Sequence, residues 1–457
     1  MNYRKLAIAT GIAAVLGVVG INTYDVELNQ ITRRLPFLHV DTKYNLPNTQ
    51  EAEGLPSLNA ISIPNVRDTL EEQIAELLVT TTPNIDLYIP GGILLRKEDT
   101  REGHLFGKYP SYSPSRTQKN VEALRNLAAT TRKRILVYDE GEGGYVPRVG
   151  TLPAAEDIGT YFTHNLIGKT IEGRVTPSKS KIERVQQVEE LFANYARELS
   201  ACGVDAVFGP VLDVPQEGQG NLMKKDGRSF SERHLEVRKI AELYINAMHK
   251  EGIRTVGKHF LNVGLSENGD DIHTTTVHGG DRISPRRWSV ETYRALKTDL
   301  GGVMVTHVGN FPDLNRPYSI SRRAMDLLTH RNYPQRHQEA EVFTNNRENE
   351  VYENNHGGVD FRGLVVLDDL SMRGLLDYIE DNELSERGKK LTAGCRTEEA
   401  RAAVIAMEAG AHTFIVFRAD TTAIVEGLAY ATKVDPPFKK KLDHAIDQYQ
   451  RFAEARK

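Results

Sequence analysis

Residues 363–372 read GLVVLDDLSM, an apolar run with branched side chains, preceded by Gly363 and ended by two adjacent carboxylates, Asp368 and Asp369. A short run of this kind between turn signals reads as a strand buried on both faces. It delivers its two aspartates at the strand's C-terminal end. The same design recurs along the chain. RILVYDE (134–140) ends in Asp139 and Glu140, and DAVFGPVLDV (205–214) reaches Asp213. IRTVGKHF (253–260) carries Lys258 and His259, and GVMVTHV (302–308) carries His307. GGILL (91–95) and HTFIVF (412–417) are two further short strands.

Segments with helical spacing separate these runs: NVRDTLEEQIAELLVTT (65–81), then 115–133, 185–203, 235–252, 290–301, 320–330 and 397–410, with a terminal helix closing the chain. At least seven helix-to-strand units in succession imply a parallel sheet with helices outside it. An open doubly wound sheet gathers its site at one switch point, usually with a glycine-rich phosphate turn. No GxGxxG or GxxxxGK[ST] pattern follows a strand here. Polar residues instead end almost every strand, and collecting side chains from many strand ends is how a closed barrel builds its site. The expectation is a TIM-type (β/α)8 barrel forming a single catalytic domain over 66–457.

The rest of the composition narrows the function classes. A formal net charge of −4 gives no basis for a nucleic-acid partner. Two cysteines, Cys202 and Cys395, make neither a disulfide framework nor a thiolate metal site. At the N-terminus, Arg4 and Lys5 precede a charge-free stretch from Leu6 to Ile21. A basic segment before a short apolar one is an export signal, so residues 1–24 read as a signal-anchor or a signal peptide, the anchor slightly favoured. The folded part is then expected outside the cytoplasm, in the periplasm or at the cell surface, held to the membrane by this segment. Residues 25–65 read as a linker. Residues 332–358 are a polar, Asn-rich insertion before a strand, and hence on the barrel's N-terminal face, away from the expected chemistry.

The ordered set GGILL, DEGEGGYVPR (139–148), FGPVLDV (208–214), GRSF (227–230), GKHF (257–260), DIH (271–273), THVGNFPDLN (306–315), SIS (319–321), VVLDDLSM (365–372) and EAGAHTFIVF (408–417) resembles the catalytic barrel of family 3 glycoside hydrolases. It is particularly similar to the family's β-N-acetylglucosaminidases, over residues 66–450. The resemblance implies no metal and no cofactor, and a carbohydrate substrate with a β-linked N-acetylglucosamine.

It also assigns roles. Asp368 stands at the family's nucleophile, which attacks the anomeric carbon to form a covalent intermediate. Leu367 stands where the family usually has serine. His273 and Asp271 resemble the Asp-x-His dyad, in which the imidazole serves as acid and then base while the carboxylate orients it. The loop leading to that dyad reads KHFLNVGLSENGDDIH and lacks the family's PGH. Arg228, Lys258 and His259 resemble residues that grip sugar hydroxyls. Glu140 occupies the place of a substrate-binding aspartate, a part that Asp139 would play only with a one-residue shift. Arg148 and His307 resemble further residues near the sugar, and Asp213 a supporting one; structural ion pairing competes for Arg148 and Asp213, and a role behind the contact layer for His307. The expected activity is retaining release of terminal N-acetylglucosamine from peptidoglycan fragments or chitooligosaccharides. The alternatives are another family 3 specificity (a β-glucosidase or an N-acetylglucosaminide phosphorylase) or a catalytically impaired envelope glycan-binding protein. Oligomeric state is left open.

Overall fold

The computed structural model describes residues 69–81, 90–95, 101–102, 111–131, 133–144, 149–150, 152–163, 181–215, 222–263, 283–310, 313–331 and 357–455. The expected N-terminal signal segment, the linker to residue 65 and most of the polar insertion lie outside these residues. Among the described residues no helix is long and apolar enough to cross a membrane.

Eight strands form a closed barrel: β1 (Leu78–Thr80), β2 (Gly92–Leu94), β3 (Leu136–Asp139), β4 (Ala206–Val207), β5 (Arg254–Phe260), β6 (Gly302–Val305), β7 (Leu364–Leu367) and β8 (Thr413–Val416). Each strand pairs in parallel with its neighbours in chain order, and β1 closes the ring on β8 through Leu78↔Phe414, Val79↔Ile415 and Thr80↔Val416. All parallel barrels bury both strand faces, one against the helices and one in the barrel interior. This explains why Val365, Val366 and Leu367 are all buried, with no alternation.

Helices surround the ring: α1 (Leu70–Ala75), α2 (Pro114–Thr131), α3 (Ala155–Thr163), α4 (Lys181–Ala201), α5 (His234–Lys250), α6 (Ile283–Leu296), α7 (Arg322–Thr329), α8 (Arg373–Asp381), α9 (Glu386–Thr392), α10 (Glu398–Ala409), α11 (Thr421–Val434) and α12 (Pro436–Glu454). They lay apolar faces on the barrel; α5, for instance, buries Val237, Ile240, Ala241, Tyr244, Ile245 and Met248.

The first element departs from the sequence expectation. Residues 65–81 read as one amphipathic helix, but α1 is short, and Leu78–Thr80 form β1, with Leu77 leading into it. A continuous apolar run suits a buried strand as well as a buried helix, and periodicity does not separate the two. Thr69 and Glu72 form a reciprocal capping box that fixes where α1 starts. Such a cap contributes about 1 kcal/mol.

At the opposite end of the barrel from the strand C-termini, α12 closes the chain. Arg254 at the start of β5 donates through Nε to the Phe452 carbonyl at 2.7 Å and through a terminal nitrogen to the Ala453 carbonyl at 2.8 Å. A guanidinium there satisfies helix C-terminal carbonyls that have no intrahelical partner and opposes the negative end of the dipole. The polar insertion begins and ends on this same N-terminal side. The Gly358 amide donates to the Arg331 carbonyl at 3.0 Å, and Arg294 holds the Gly357 and Gly358 carbonyls.

Candidate active site

The C-terminal ends of β3, β4, β5, β6 and β7 bring nearly all the described candidate residues to one barrel face. At the end of β3 the chain alternates sides, so Asp139 and Glu140 separate. Asp139 is fully buried. One of its carboxylate oxygens accepts from the Val149 amide at 3.0 Å, the other from the Gly141 amide at 2.9 Å and the Tyr195 hydroxyl at 3.1 Å. Burial pushes its pKa up, against the pull of those hydrogen bonds. Asp139 therefore holds the two ends of the 140–149 loop together and has no surface to offer a sugar. Of the two carboxylates the sequence offered for the sugar, the geometry thus favours Glu140, and the one-residue shift that would bring in Asp139 is not supported.

Glu140 takes the other direction and retains an exposed edge. Lys258 lies between two carboxylates, 2.9 Å from Glu140 Oε2 and 2.7 Å from Glu142 Oε1. Arg228 meets Glu142 in a fork, Nε to Oε2 and a terminal nitrogen to Oε1, both at 2.7 Å. Such a bidentate pair fixes orientation as well as charge. Burial alone would raise the Glu142 pKa, but Arg228 and Lys258 outweigh it and hold the carboxyl well below the usual range. Burial alone would lower Lys258, and Glu140 and Glu142 outweigh it in the opposite sense. The four groups form a charge-balanced lattice, with Glu140 and Arg228 at its more exposed edge. Glu142 is a member to which the sequence assigned no role. Its signal was an acid in the glycine-rich turn of DEGEGGYVPR.

Gly141 makes that turn possible. Its φ is +66°, and a Cβ there would lie 2.6 Å from the Tyr244 hydroxyl and 2.8 Å from Val207 Cβ. Tyr244 also donates to the Gly141 carbonyl at 2.8 Å.

Asp213, at the end of the β4 segment, is fully buried. It accepts from the His259 amide at 3.1 Å, lies 2.7 Å from His259 Nδ1, and accepts from the Val263 amide at 2.6 Å. The imidazole is thereby oriented, and His259 Nε2 has no partner among the described residues. Asn262 brackets Val214 with its side-chain amide, accepting from its N–H at 3.3 Å and donating to its carbonyl at 3.1 Å. Its φ of +110° is rare for a residue with a Cβ. Leu261 and Val263 are buried. The departing KHFLNV segment is thus anchored to β4 through residue 263. Asp271 and His273 lie outside the described residues, as does Arg148.

At the end of β7 the paired aspartates also part. Asp369 accepts from the Ser371 and Phe417 amides, both at 3.2 Å, and from the Ser371 hydroxyl at 2.5 Å. It thus ties its loop to the end of β8. An aspartate just ahead of a helix often caps it, but α8 begins after Met372 with no side-chain cap, and Asp369 serves the loop instead. Asp368 is buried to 8% exposure, and its Oδ1 accepts from the Asp369 amide at 2.9 Å. That backbone donor supports the carboxylate, while Leu367, in the place of the expected serine, is wholly buried.

His307 follows β6 and is also wholly buried. Its Nε2 lies 3.0 Å from the Asp369 carbonyl and its Nδ1 2.7 Å from the Ser319 hydroxyl. A carbonyl only accepts, so Nε2 carries the proton; burial pushes the His307 pKa down, so Nδ1 is bare and Ser319 donates to it. Both ring nitrogens are committed to the protein. His307 is correspondingly placed as a support for the Asp368–Asp369 turn, the second of the two roles the sequence left open for it. Ser319 belongs to the SIS motif, to which the sequence assigned no role. Among the described residues no group of three His, Cys, Asp or Glu side chains is placed to hold a metal ion.

Comparison with known proteins bears on the family and the fold. Residues 69–428 match the family model described as the glycosyl hydrolase family 3 N-terminal domain. A beta-hexosaminidase of Psychromonas ingrahamii is 30% identical over 203 residues, covering 44% of this chain and 50% of that protein. One from Neisseria gonorrhoeae is 25% identical over 270 residues, covering 57% of this chain and 62% of that protein. The matches thus span about half to three-fifths of these relatives' length. Among solved structures, a Beutenbergia cavernae β-N-acetylhexosaminidase superposes with a TM-score of 0.60 at 18% identity, covering 85% of this chain and 99% of that one. A Neisseria gonorrhoeae protein in complex with N-trifluoroacetyl-D-glucosamine has a TM-score of 0.51 at 18% identity, covering 83% and 98%. At those identities the likeness is one of fold.

Proposed function

The chain belongs to glycosyl hydrolase family 3, and on that premise we propose that it is a retaining exo-glycosidase releasing terminal β-linked N-acetylglucosamine from peptidoglycan fragments or chitooligosaccharides. The observation that carries this reading is the company Asp368 keeps at the barrel mouth. A carboxylate held by a backbone donor shares one barrel face with the charge lattice of Glu140, Glu142, Arg228 and Lys258 and with the oriented His259. Asp368 attacks the anomeric carbon and the leaving oxygen takes a proton; water then releases the sugar from the carboxylate. His273, oriented by Asp271, is assigned as the proton donor and later the base. Lys258, Arg228, Glu140 and His259 hold hydroxyls of the sugar. The beta-hexosaminidase names of the relatives support the choice of an N-acetylated amino sugar.

The test is incubation with a 2-fluoro sugar donor followed by intact-protein mass and peptide mapping. A covalent adduct on Asp368, absent from Asp368→Asn, is expected. Turnover of a chromogenic N-acetylglucosaminide without any adduct on Asp368 would overturn the nucleophile assignment. A second reading, a glycan-binding barrel without turnover, is favoured by the missing PGH and by Leu367. Binding of chitooligosaccharide with no hydrolysis would establish it. Export, with the barrel outside the cytoplasm, is part of the proposal on the strength of Arg4, Lys5 and the apolar stretch after them. Recovery of the protein as a soluble species inside the cell would remove that part.

A further inference from the structure

Among the described residues three large apolar side chains stay exposed, Ile182 at 71%, Leu235 at 51% and Trp288 at 37%. They come together. Leu235 and Trp288 line one cavity of about 520 Å³ where α3 ends and α4 and α5 begin, and Ile182 follows Lys181 of its wall on α4. α4 and α6 both pack on α5, so the three residues lie on neighbouring helices. His234 covers one face of the Trp288 indole, stacked at 5.3 Å between ring centroids with a 5° interplanar angle. Single exposed apolar residues are ordinary, whereas a cluster of them marks a surface that meets something other than water. The charge around this cluster is one-sided. Lys181, Arg184, Arg233 and Lys239 line the cavity against two acids. Both acids are committed within the protein, Glu232 to Lys224 and Glu236 to Ser231 and Arg233. Glu183, the acid next to Ile182, is not free either. Lys181 and Lys239 have no ion-pair partner among the described residues.

We propose that this patch docks the barrel onto an anionic phospholipid surface, with Ile182, Leu235 and Trp288 entering the boundary between headgroups and acyl chains and Lys181 and Lys239 meeting lipid phosphates. Apolar side chains ringed by lysine and arginine are the pattern of a protein surface that lies on a bilayer, and an indole is favoured at headgroup level. Each lysine near a negatively charged membrane tightens binding about fivefold. Its flexible stem lets the charge stay with the phosphates while apolar neighbours go deeper. The sequence also supplies the reason why such a surface would be met. Residues 1–24 read as a membrane signal or anchor and 25–65 as a linker. A tethered barrel sees the bilayer at high effective concentration, so a weak patch is enough to set its orientation. A second copy of the chain fits the patch less well, because an isologous contact would bring Lys181 and Lys239 of one copy toward those of the other. Docking of this kind goes beyond the glycosidase reading and does not depend on it.

Trp288 is the chain's single tryptophan, so its fluorescence reports on this patch, while the N-terminal segment, which would carry the chain to any bilayer, stays silent. The full chain is mixed with phosphatidylglycerol vesicles, with phosphatidylcholine vesicles, and with both kinds carrying acyl chains brominated near the headgroup. A blue shift and bromine quenching are expected with phosphatidylglycerol, both lost at about 1 M salt, and neither with phosphatidylcholine. Lys181→Gln combined with Lys239→Gln should raise the half-saturating lipid concentration roughly 10–30-fold. Ile182→Ser combined with Leu235→Ser should weaken the bromine quenching at saturating lipid. All four side chains are exposed, so these variants keep the fold. An equal response to neutral vesicles, silence with both lipids, an emission shift that follows protein concentration without lipid, or a shift given by glycerol phosphate or polyglutamate alone would each overturn the docking surface. Turnover by the same chain is a separate measurement. Hydrolysis with Trp288 unmoved leaves the glycosidase and removes the docking surface, and a lipid response without hydrolysis does the reverse.

Discussion

His307 Nε2 sits 3.0 Å from the carbonyl oxygen of Asp369, the residue immediately after the proposed nucleophile Asp368. The imidazole grips the backbone of that turn from β6, and Ser319 fixes its tautomer from the far side at 2.7 Å. The amide that supports the Asp368 carboxylate belongs to this same residue, Asp369. Position of the Asp368 carboxylate thus depends on a buried ring whose two nitrogens are both taken by the protein.

His307→Ala is expected to leave the Asp369 carbonyl and the Ser319 hydroxyl unsatisfied and to cost about 1–3 kcal/mol of stability. The kinetic effect should fall on kcat more than on KM, because the turn and not the sugar loses its support. His307→Gln, which keeps a donor, should recover part of kcat. Thermal melts and steady-state kinetics of the two variants check this, and a pure KM effect would count against the positioning role.

Stability should fall as the medium is acidified through the histidine range. His412, buried beside His444 at a ring separation of 5.1 Å, accepts the Val365 amide at Nδ1 and is pushed down to about 3, chiefly by burial. His307 is lowered as well. A histidine near 6.5 when unfolded and lower when folded binds its proton preferentially in the unfolded chain. Its contribution is therefore complete above about pH 6.5 and shrinks as pH falls toward the folded value. For His412 the loss between pH 6.5 and 4.5 is on the order of 2–3 kcal/mol. Denaturant melts across that interval should show it, and His412→Gln should flatten the slope.

The two glutamates of the charge lattice should behave differently. Glu142 is buried with two cations, so Glu142→Ala strands Arg228 and leaves Lys258 with Glu140 alone, and a loss of about 3–5 kcal/mol is expected. Glu140 sits at the exposed edge, so Glu140→Gln should cost about 1 kcal/mol or less and should raise KM for the N-acetylglucosaminide. Urea melts beside kinetics separate the two. An equal stability loss in both variants would contradict the assigned edge and centre of the lattice.

Gly141→Ala should destabilise through both its left-handed φ and the 2.6 Å contact with the Tyr244 hydroxyl. Adding Tyr244→Phe removes the hydroxyl but not Val207 Cβ at 2.8 Å. Rescue of the melting temperature by the second substitution should therefore be partial; full rescue would show the turn to be freer than the geometry implies.

Local patterning alone determined the parallel helix-and-strand architecture of this chain and the placing of polar residues at strand C-terminal ends. Those features follow from spacing between neighbours in the sequence, as in GLVVLDD and RILVYDE. It did not determine that Leu77–Thr80 would leave the helical pattern and close the ring, since an apolar run of that length satisfies a buried helix and a buried strand alike. Nor did it decide the faces. Adjacent side chains at a strand end point in opposite directions, so one of Asp139 and Glu140 had to turn inward, but only the packing of Tyr195 and the Val149 amide made it Asp139. Likewise a histidine after β6 is visible in the sequence, whereas Ser319 and the Asp369 carbonyl, which occupy both its nitrogens, come from other parts of the chain. Partners brought together by ring closure leave no local trace, because nothing in the spacing of either segment depends on the other.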